Sequence, residues 1–143
     1  MPVNGFSVGK DVSFTVTTAT GNLSVVGLTS FSAKPMFTDI KSKRLDGMTY
    51  FGEIPDGWNG TFKLDRTSPA VDTFFAALEA AYYAGTNTPA GTIQEVILEA
   101  DGTTTTWQYT GVVLKLEDSG DWKGGARVEQ TFAFNATTKT QVT

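Results

Sequence analysis

Glu117, Asp118 and Asp121 crowd into one glycine-rich loop, Glu117-Asp118-Ser119-Gly120-Asp121-Trp122-Lys123-Gly124-Gly125. Two carboxylates so placed could serve a glycosidase as acid and nucleophile or base. The same composition also reads as a turn whose aspartates accept hydrogen bonds from backbone amides. Its ligand spacing is not that of an EF-hand, so no calcium site is expected. The chain has no cysteine and no histidine, which excludes thiolate nucleophiles, Ser-His-Asp triads, disulfides and Cys/His zinc sites. Neither a G-x-x-x-x-G-K-S/T loop nor a G-x-G-x-x-G turn after a strand is present. Nothing assembles an acid, a base and an orienting group, so catalysis, cofactor and metal are not expected.

The loop joins two long alternating segments. Before it, Gln108, Thr110, Val112, Leu114 and Leu116 alternate with Trp107, Tyr109, Val113 and Lys115. After it, Val128, Gln130, Phe132 and Phe134 alternate with Arg127, Glu129, Thr131 and Asn135. Period-two alternation predicts strands with two differently used faces. The first is roughly twice the usual five or six residues, and such a surface invites completion by another copy.

Earlier elements support this sheet. Val12, Phe14 and Val16 alternate with Ser13, Thr15 and Thr17 in a first strand, and Gly21-Asn22 reads as a tight hairpin turn. Leu23, Val25, Thr29 and Phe31 carry a second strand, which Lys34-Pro35 ends or places at a sheet edge. Residues 39–60 mix glycines and prolines with Met48, Tyr50, Phe51, Ile54 and Trp58, and read as a long loop that must be covered. It either folds over its own sheet or docks on a neighbouring subunit. Phe62 and Leu64 continue a strand. Ser68-Pro69 opens the one convincing helix, 68–84, with Val71, Phe74, Phe75, Leu78 and Tyr82 at helical spacing and Gly85 closing it. Ile93 to Glu99 is a strand, Asp101-Gly102 signals a type I′ hairpin, and 137–143 reads as an exposed tail.

These elements predict a single domain, 1–143, of mainly β class: a barrel or sandwich with one flanking helix. Ten phenylalanines and three tryptophans supply its core. The formal net charge of −4 argues against gripping nucleic acid through phosphates. The one basic cluster, Lys41-Ser42-Lys43-Arg44, has the plain reading of a solvated loop. No apolar run reaches the roughly 18 residues of a membrane span, and Met1-Pro2-Val3-Asn4 starts no signal peptide. The chain is expected to be cytosolic and soluble when made.

The stretch Val113-Leu114-Lys115-Leu116 through Gly124-Gly125, followed by Val128-Glu129-Gln130-Thr131-Phe132-Ala133-Phe134, resembles the tail tube proteins of long-tailed bacteriophages. Val8-Gly9-Lys10-Asp11-Val12, the long segment after the second strand and the single helix occur in matching order, so the resemblance spans most of the chain. It implies a virion structural protein, made in the host cytoplasm and placed in the tail. Six-membered rings would close their strands into one large β-barrel and stack into a tube that conducts double-stranded DNA during genome ejection. The short chain points to the contractile-tail type, with sheath, baseplate and tail terminator proteins as further partners. By the same analogy residues 39–60 would reach another subunit, with Tyr50, Phe51, Ile54 and Trp58 as anchors and Lys41, Lys43 and Arg44 meeting acidic groups. Trp58→Ala would then weaken assembly without unfolding the monomer. The threonine-rich face of Thr104, Thr106, Gln108 and Thr110 is a candidate lumen wall, though plain outward exposure explains it equally. A competing class is a carbohydrate-binding β-sandwich, with Trp58, Trp107 or Tyr109 stacking on sugar.

Overall fold

The computed structural model describes residues 2–18, 21–23, 25 and 27–143. Among these residues a short 3-10 turn, Gly9–Asp11, precedes eight strands and one α-helix in the order β1 Val12–Thr18, β2 Gly21–Leu23, β3 Leu28–Lys43, β4 Thr49–Asp65, α1 Ala70–Tyr83, β5 Gly91–Leu98, β6 Thr104–Asp118, β7 Glu129–Ala136 and β8 Thr138–Gln141. They form one antiparallel sheet, β2-β1-β5-β6-β7-β4-β3, with β8 also lying along β6. The sheet curls until its ends meet: Phe14 of β1 and Phe31 of β3 have ring centroids 4.2 Å apart. The mainly β class with one flanking helix is as expected.

β6 serves both halves of the sheet. Its first part pairs with β5 and β8, its second part with β7. The change comes at Gly111, which has φ +64° and faces a register shift in β5 between Gly91 and Ile93. A Cβ at Gly111 would meet the Thr137 hydroxyl, so no other residue fits this bulge. The extra residue reverses the alternation. Tyr109 is buried before it and Val112 and Leu114 after it, so Gln108 and Thr110 lie on the opposite face from Val112, not with it.

Inside the curl, aromatic rings pack across the strands. Phe62 is fully buried and touches Phe14, Phe31, Phe132 and Phe134. Gly60 stands opposite Phe134, where an added Cβ would collide with the Ser32 carbonyl and the Phe134 ring. Gly60→Ala should therefore lower stability by about 2–3 kcal/mol, readable as a reduced urea midpoint.

α1 plugs the end of the curl. Val71 and Phe75 are buried, and Phe75 lies 5.6 Å from Phe132. The buried Gln130 Nε2 donates to Asp72 Oδ1 at 2.7 Å and to the Ser119 carbonyl at 3.1 Å. Arg66 Nε holds the other Asp72 oxygen at 2.8 Å. The helix begins at Ala70, with Pro69 rather than Ser68 in the cap position; the Ser68 hydroxyl accepts from Ala70 N–H at 3.4 Å. Gly85 closes it with φ +74°. Tyr82, at core spacing in the sequence, is exposed.

Other expectations are corrected. Gly21 and Asn22 are not turn residues but strand residues, paired with Thr18 and Thr17. Of the two readings of Lys34-Pro35, the sheet edge holds and the strand end does not. Pro35 pairs with Trp58 on an edge strand, where its missing donor costs nothing. Residues 39–60 are no loop but the greater part of a two-stranded hairpin. The 137–143 segment is no tail, since β8 pairs with β6 through Trp107↔Gln141 and Thr110↔Thr138. The Asp101-Gly102 turn has three residues rather than a type I′ pair. Glu99 N–H bonds the Thr103 carbonyl, Gly102 alone has positive φ, and Asp101 accepts from Thr103 N–H.

Candidate self-assembly surfaces

Three features compete as functional surfaces: a projecting arm, an uncharged sheet face and the carboxylate loop. The arm exists because β4 pairs with β7 only from Trp58 to Asp65. Beyond Gly57 the β3–β4 hairpin continues alone, from Phe37↔Pro55 to Lys43↔Thr49. At roughly 3.3 Å per residue it projects about 25 Å. Its tip, Leu45-Asp46-Gly47, repeats the other three-residue turn: Arg44 N–H bonds the Met48 carbonyl and Asp46 accepts from Met48 N–H.

Cross-strand register assigns the arm's faces. Phe37, Asp39, Lys41 and Lys43 share one face with Pro55, Glu53, Phe51 and Thr49. Ile40, Tyr50 and Ile54 occupy the other. Large apolar groups lie open on both, Phe51 at 77% exposure on the first and Ile40 at 48% on the second. Arg44 stacks on Tyr50 with its guanidinium carbon 3.9 Å from the ring centroid, so it partly serves the arm itself. Lys41, Lys43, Arg44, Tyr50, Phe51 and Ile54 are thus gathered on one projection.

Trp58 is not with them. It stands at the arm's base, half-buried against the core, edge-on to Tyr109 at 6.2 Å. Lys139 Nζ sits 4.7 Å from the Trp58 ring, 4.8 Å from Trp107 and 5.4 Å from Tyr109. This cation caged by three aromatic faces pins β8 in place. The Tyr109 hydroxyl donates to Glu95 Oε2 at 3.2 Å, and burial, aided by that carboxylate, pushes its ionisation far above the ordinary phenol range. The three rings proposed for stacking on sugar already hold a lysine. Trp58→Ala is accordingly expected to cost about 2–3 kcal/mol of monomer stability, measured by urea unfolding, rather than to spare the fold.

The second surface is the outer face of the β1–β5–β6–β8 half-sheet. Thr15↔Gln94↔Gln108↔Thr140 and Ser13↔Val96↔Thr106 run across it in register, with Thr17, Leu98, Thr104, Thr110 and Thr138 alongside. None of these side chains is charged. Thr104 is open and Gln108 and Thr110 are half-buried, while Thr106 is only 7% exposed.

The carboxylate loop behaves as a turn. Asp118 accepts from Gly120 N–H at 3.0 Å, and Asp121 pairs with Lys123 at 3.4 Å on an exposed surface. Among the described residues no group of three or more acidic side chains could hold a metal. A G-x-S-x-G spelling does occur at Gly5-Phe6-Ser7-Val8-Gly9. It lies in an irregular N-terminal segment without the strand and helix that a nucleophile elbow needs, and the chain has no histidine to act as its base. No described helix is long and apolar enough to cross a membrane.

No protein-family model matches the chain, and no curated protein matches it in sequence. Solved structures do match in fold. A chain of the anti-feeding prophage cap, the AFP tube-terminating cap, aligns with TM-score 0.66 and 17% identity over 100% of this chain and 95% of its own. A chain from the sheath/tube terminator of an extracellular contractile injection system aligns with TM-score 0.64 and 12% identity, covering 100% and 96%. One from the sheath-tube complex of such a system, in its extended state, gives 0.59 and 12%, covering 90% and 86%. The chain therefore has the tail-tube type of fold found in contractile injection assemblies.

Proposed function

We propose that this chain is a structural subunit of a tail tube. Six copies close into a ring, rings stack into a hollow cylinder, and double-stranded DNA passes through that cylinder during genome ejection from a virion tail. Sheath, baseplate and terminator proteins are its further partners, and it assembles in the host cytoplasm. The observation that carries this reading is an apolar hairpin held well clear of a complete, aromatic-packed domain. An exposed surface of this kind has no use in a solitary protein and is costly to solubility. The uncharged half-sheet face suits a lumen, since a wall without lysine or arginine does not trap phosphates. Concentrated protein should show rings or tubes in negative stain, where a solitary domain would give featureless small particles.

The likeness to a tube-terminating cap favours a second reading, in which assembly stops at a single ring. Stacks several rings long in purified protein would discard it.

The lumen assignment makes its own prediction. Thr15→Lys with Thr104→Lys should leave assembly intact but make the tubes retain DNA. That binding should weaken steeply between about 50 and 200 mM salt, as counterion release requires. Assembled tubes that ignore DNA at both concentrations would place this face elsewhere.

A further inference from the structure

The curl closes without a hydrogen-bonded ladder. Among the described residues β2 pairs only with Val16–Thr18 of β1, and the outer edge of β3 pairs with no strand. Phe14 and Phe31 span this seam by their rings. Beside them opens a cavity of about 830 Å³, walled by Phe14, Val25, Leu28, Phe31 and Ile97 and flanked by the 7–11 segment. We infer that this cavity binds a small organic ammonium ion, its apolar body against the two phenylalanines and its nitrogen on the Glu95 carboxylate. Such a site is separate from the self-assembly surfaces and independent of the tube reading.

Glu95 is the first ground. Alternation along β5 sets it on the core face between Ile93, which is fully buried, and Ile97. A glutamate so placed is rare unless it is paired. Glu95 is half-buried and lines the cavity. Its one described hydrogen bond comes from the Tyr109 hydroxyl to Oε2 at 3.2 Å, and no described ion pair includes it. Lys139 is engaged elsewhere, over the Trp58, Trp107 and Tyr109 rings. A partly desolvated carboxylate that meets only a phenol still lacks a counter-charge.

The rest of the lining is the second ground. Asp11 Oδ2 accepts from Val8 N–H at 2.9 Å, and Lys10 beside it offsets its charge. What remains is an apolar trough with one carboxylate in its wall, an arrangement that orients a small amphipathic ligand. Aromatic walls favour a cation further, because ring faces attract an ammonium group. An anionic ligand would meet Glu95 and Asp11 as like charges.

Benzylammonium, benzyl alcohol and benzoate share a ring and differ in charge, so they test the site. Titrated into wild-type protein dilute enough to stay monomeric, benzylammonium should bind with a Kd of about 0.1–1 mM, and benzoate should not bind by about 10 mM. Nuclear Overhauser contacts should run from the benzylammonium ring to Leu28 and Ile97. Glu95→Gln keeps an acceptor for the Tyr109 hydroxyl, so the fold should stand. It should weaken benzylammonium about tenfold and leave benzyl alcohol unchanged. Equal binding of the three compounds, a preference for the ammonium that survives Glu95→Gln, or no binding by about 10 mM would each overturn the assignment. Ligand contacts to α1 in place of Leu28 and Ile97 would do the same. If Glu95→Gln lowers the urea midpoint, the wild-type ranking and contacts decide alone. None of these readouts depends on whether tubes form.

Discussion

Excising residues 40–52 and joining Asp39 to Glu53 through an Asn-Gly turn should yield a folded monomer that builds no tubes. Asp39 and Glu53 face each other across the hairpin, so a two-residue turn can close there without disturbing the register below. Nothing in the aromatic core lies beyond Trp58. Far-UV circular dichroism and the urea midpoint of the monomer should therefore stay close to wild type. Assembly should not survive. The excision removes Phe51, whose burial alone would contribute roughly 1.5–3 kcal/mol per arm. Losing that raises the concentration needed for assembly about tenfold to a hundredfold. Size-exclusion chromatography with negative-stain microscopy checks both halves, and tubes from the armless protein would remove the arm from the account.

Phe62→Ala should have the largest effect on the fold itself. Its ring is fully buried and is the hub of four aromatic contacts that join β1, β3, β4 and β7. Deleting it removes the transfer energy of a phenyl group and leaves a cavity that rigid strands cannot collapse. The cost is about 3–5 kcal/mol, against a total stability of roughly 5–15 kcal/mol for a domain. Urea unfolding should show a sharply lower midpoint. A midpoint within about 0.5 kcal/mol of wild type would mean that this cluster does not hold the sheet closed.

What was legible in the residues was whatever had one face buried. β7 shows its core face through Gln130, Phe132 and Phe134, and α1 shows its own through Val71 and Phe75. The arm hid because both of its faces meet solvent, so no period-two contrast marks it. Tyr50 and Phe51 sit side by side, and Gly52, Pro55 and Gly57 read as breaks. Its one local signal was Asp46-Gly47, which repeats the chemistry of Asp101-Gly102 and makes the same turn. The reversal of faces in β6 escaped because a bulge depends on its partner strand. A glycine at the middle of a long strand was its only cue. β8 passed for a tail because Thr138, Lys139 and Thr140 carry no apolar pattern. What fixes it is Lys139 among three aromatic rings that are distant in sequence. Trp58 follows the same logic: neighbours in the chain group it with the exposed aromatics, and neighbours in space place it at the core's edge.

Cryo-electron microscopy of concentrated wild-type protein tests the central claim most directly. Hollow cylinders should appear, with each hairpin packed on another copy and the Thr15–Gln94–Gln108 face turned inward. Single domains at every concentration, or a bore walled by lysine and arginine, would contradict it.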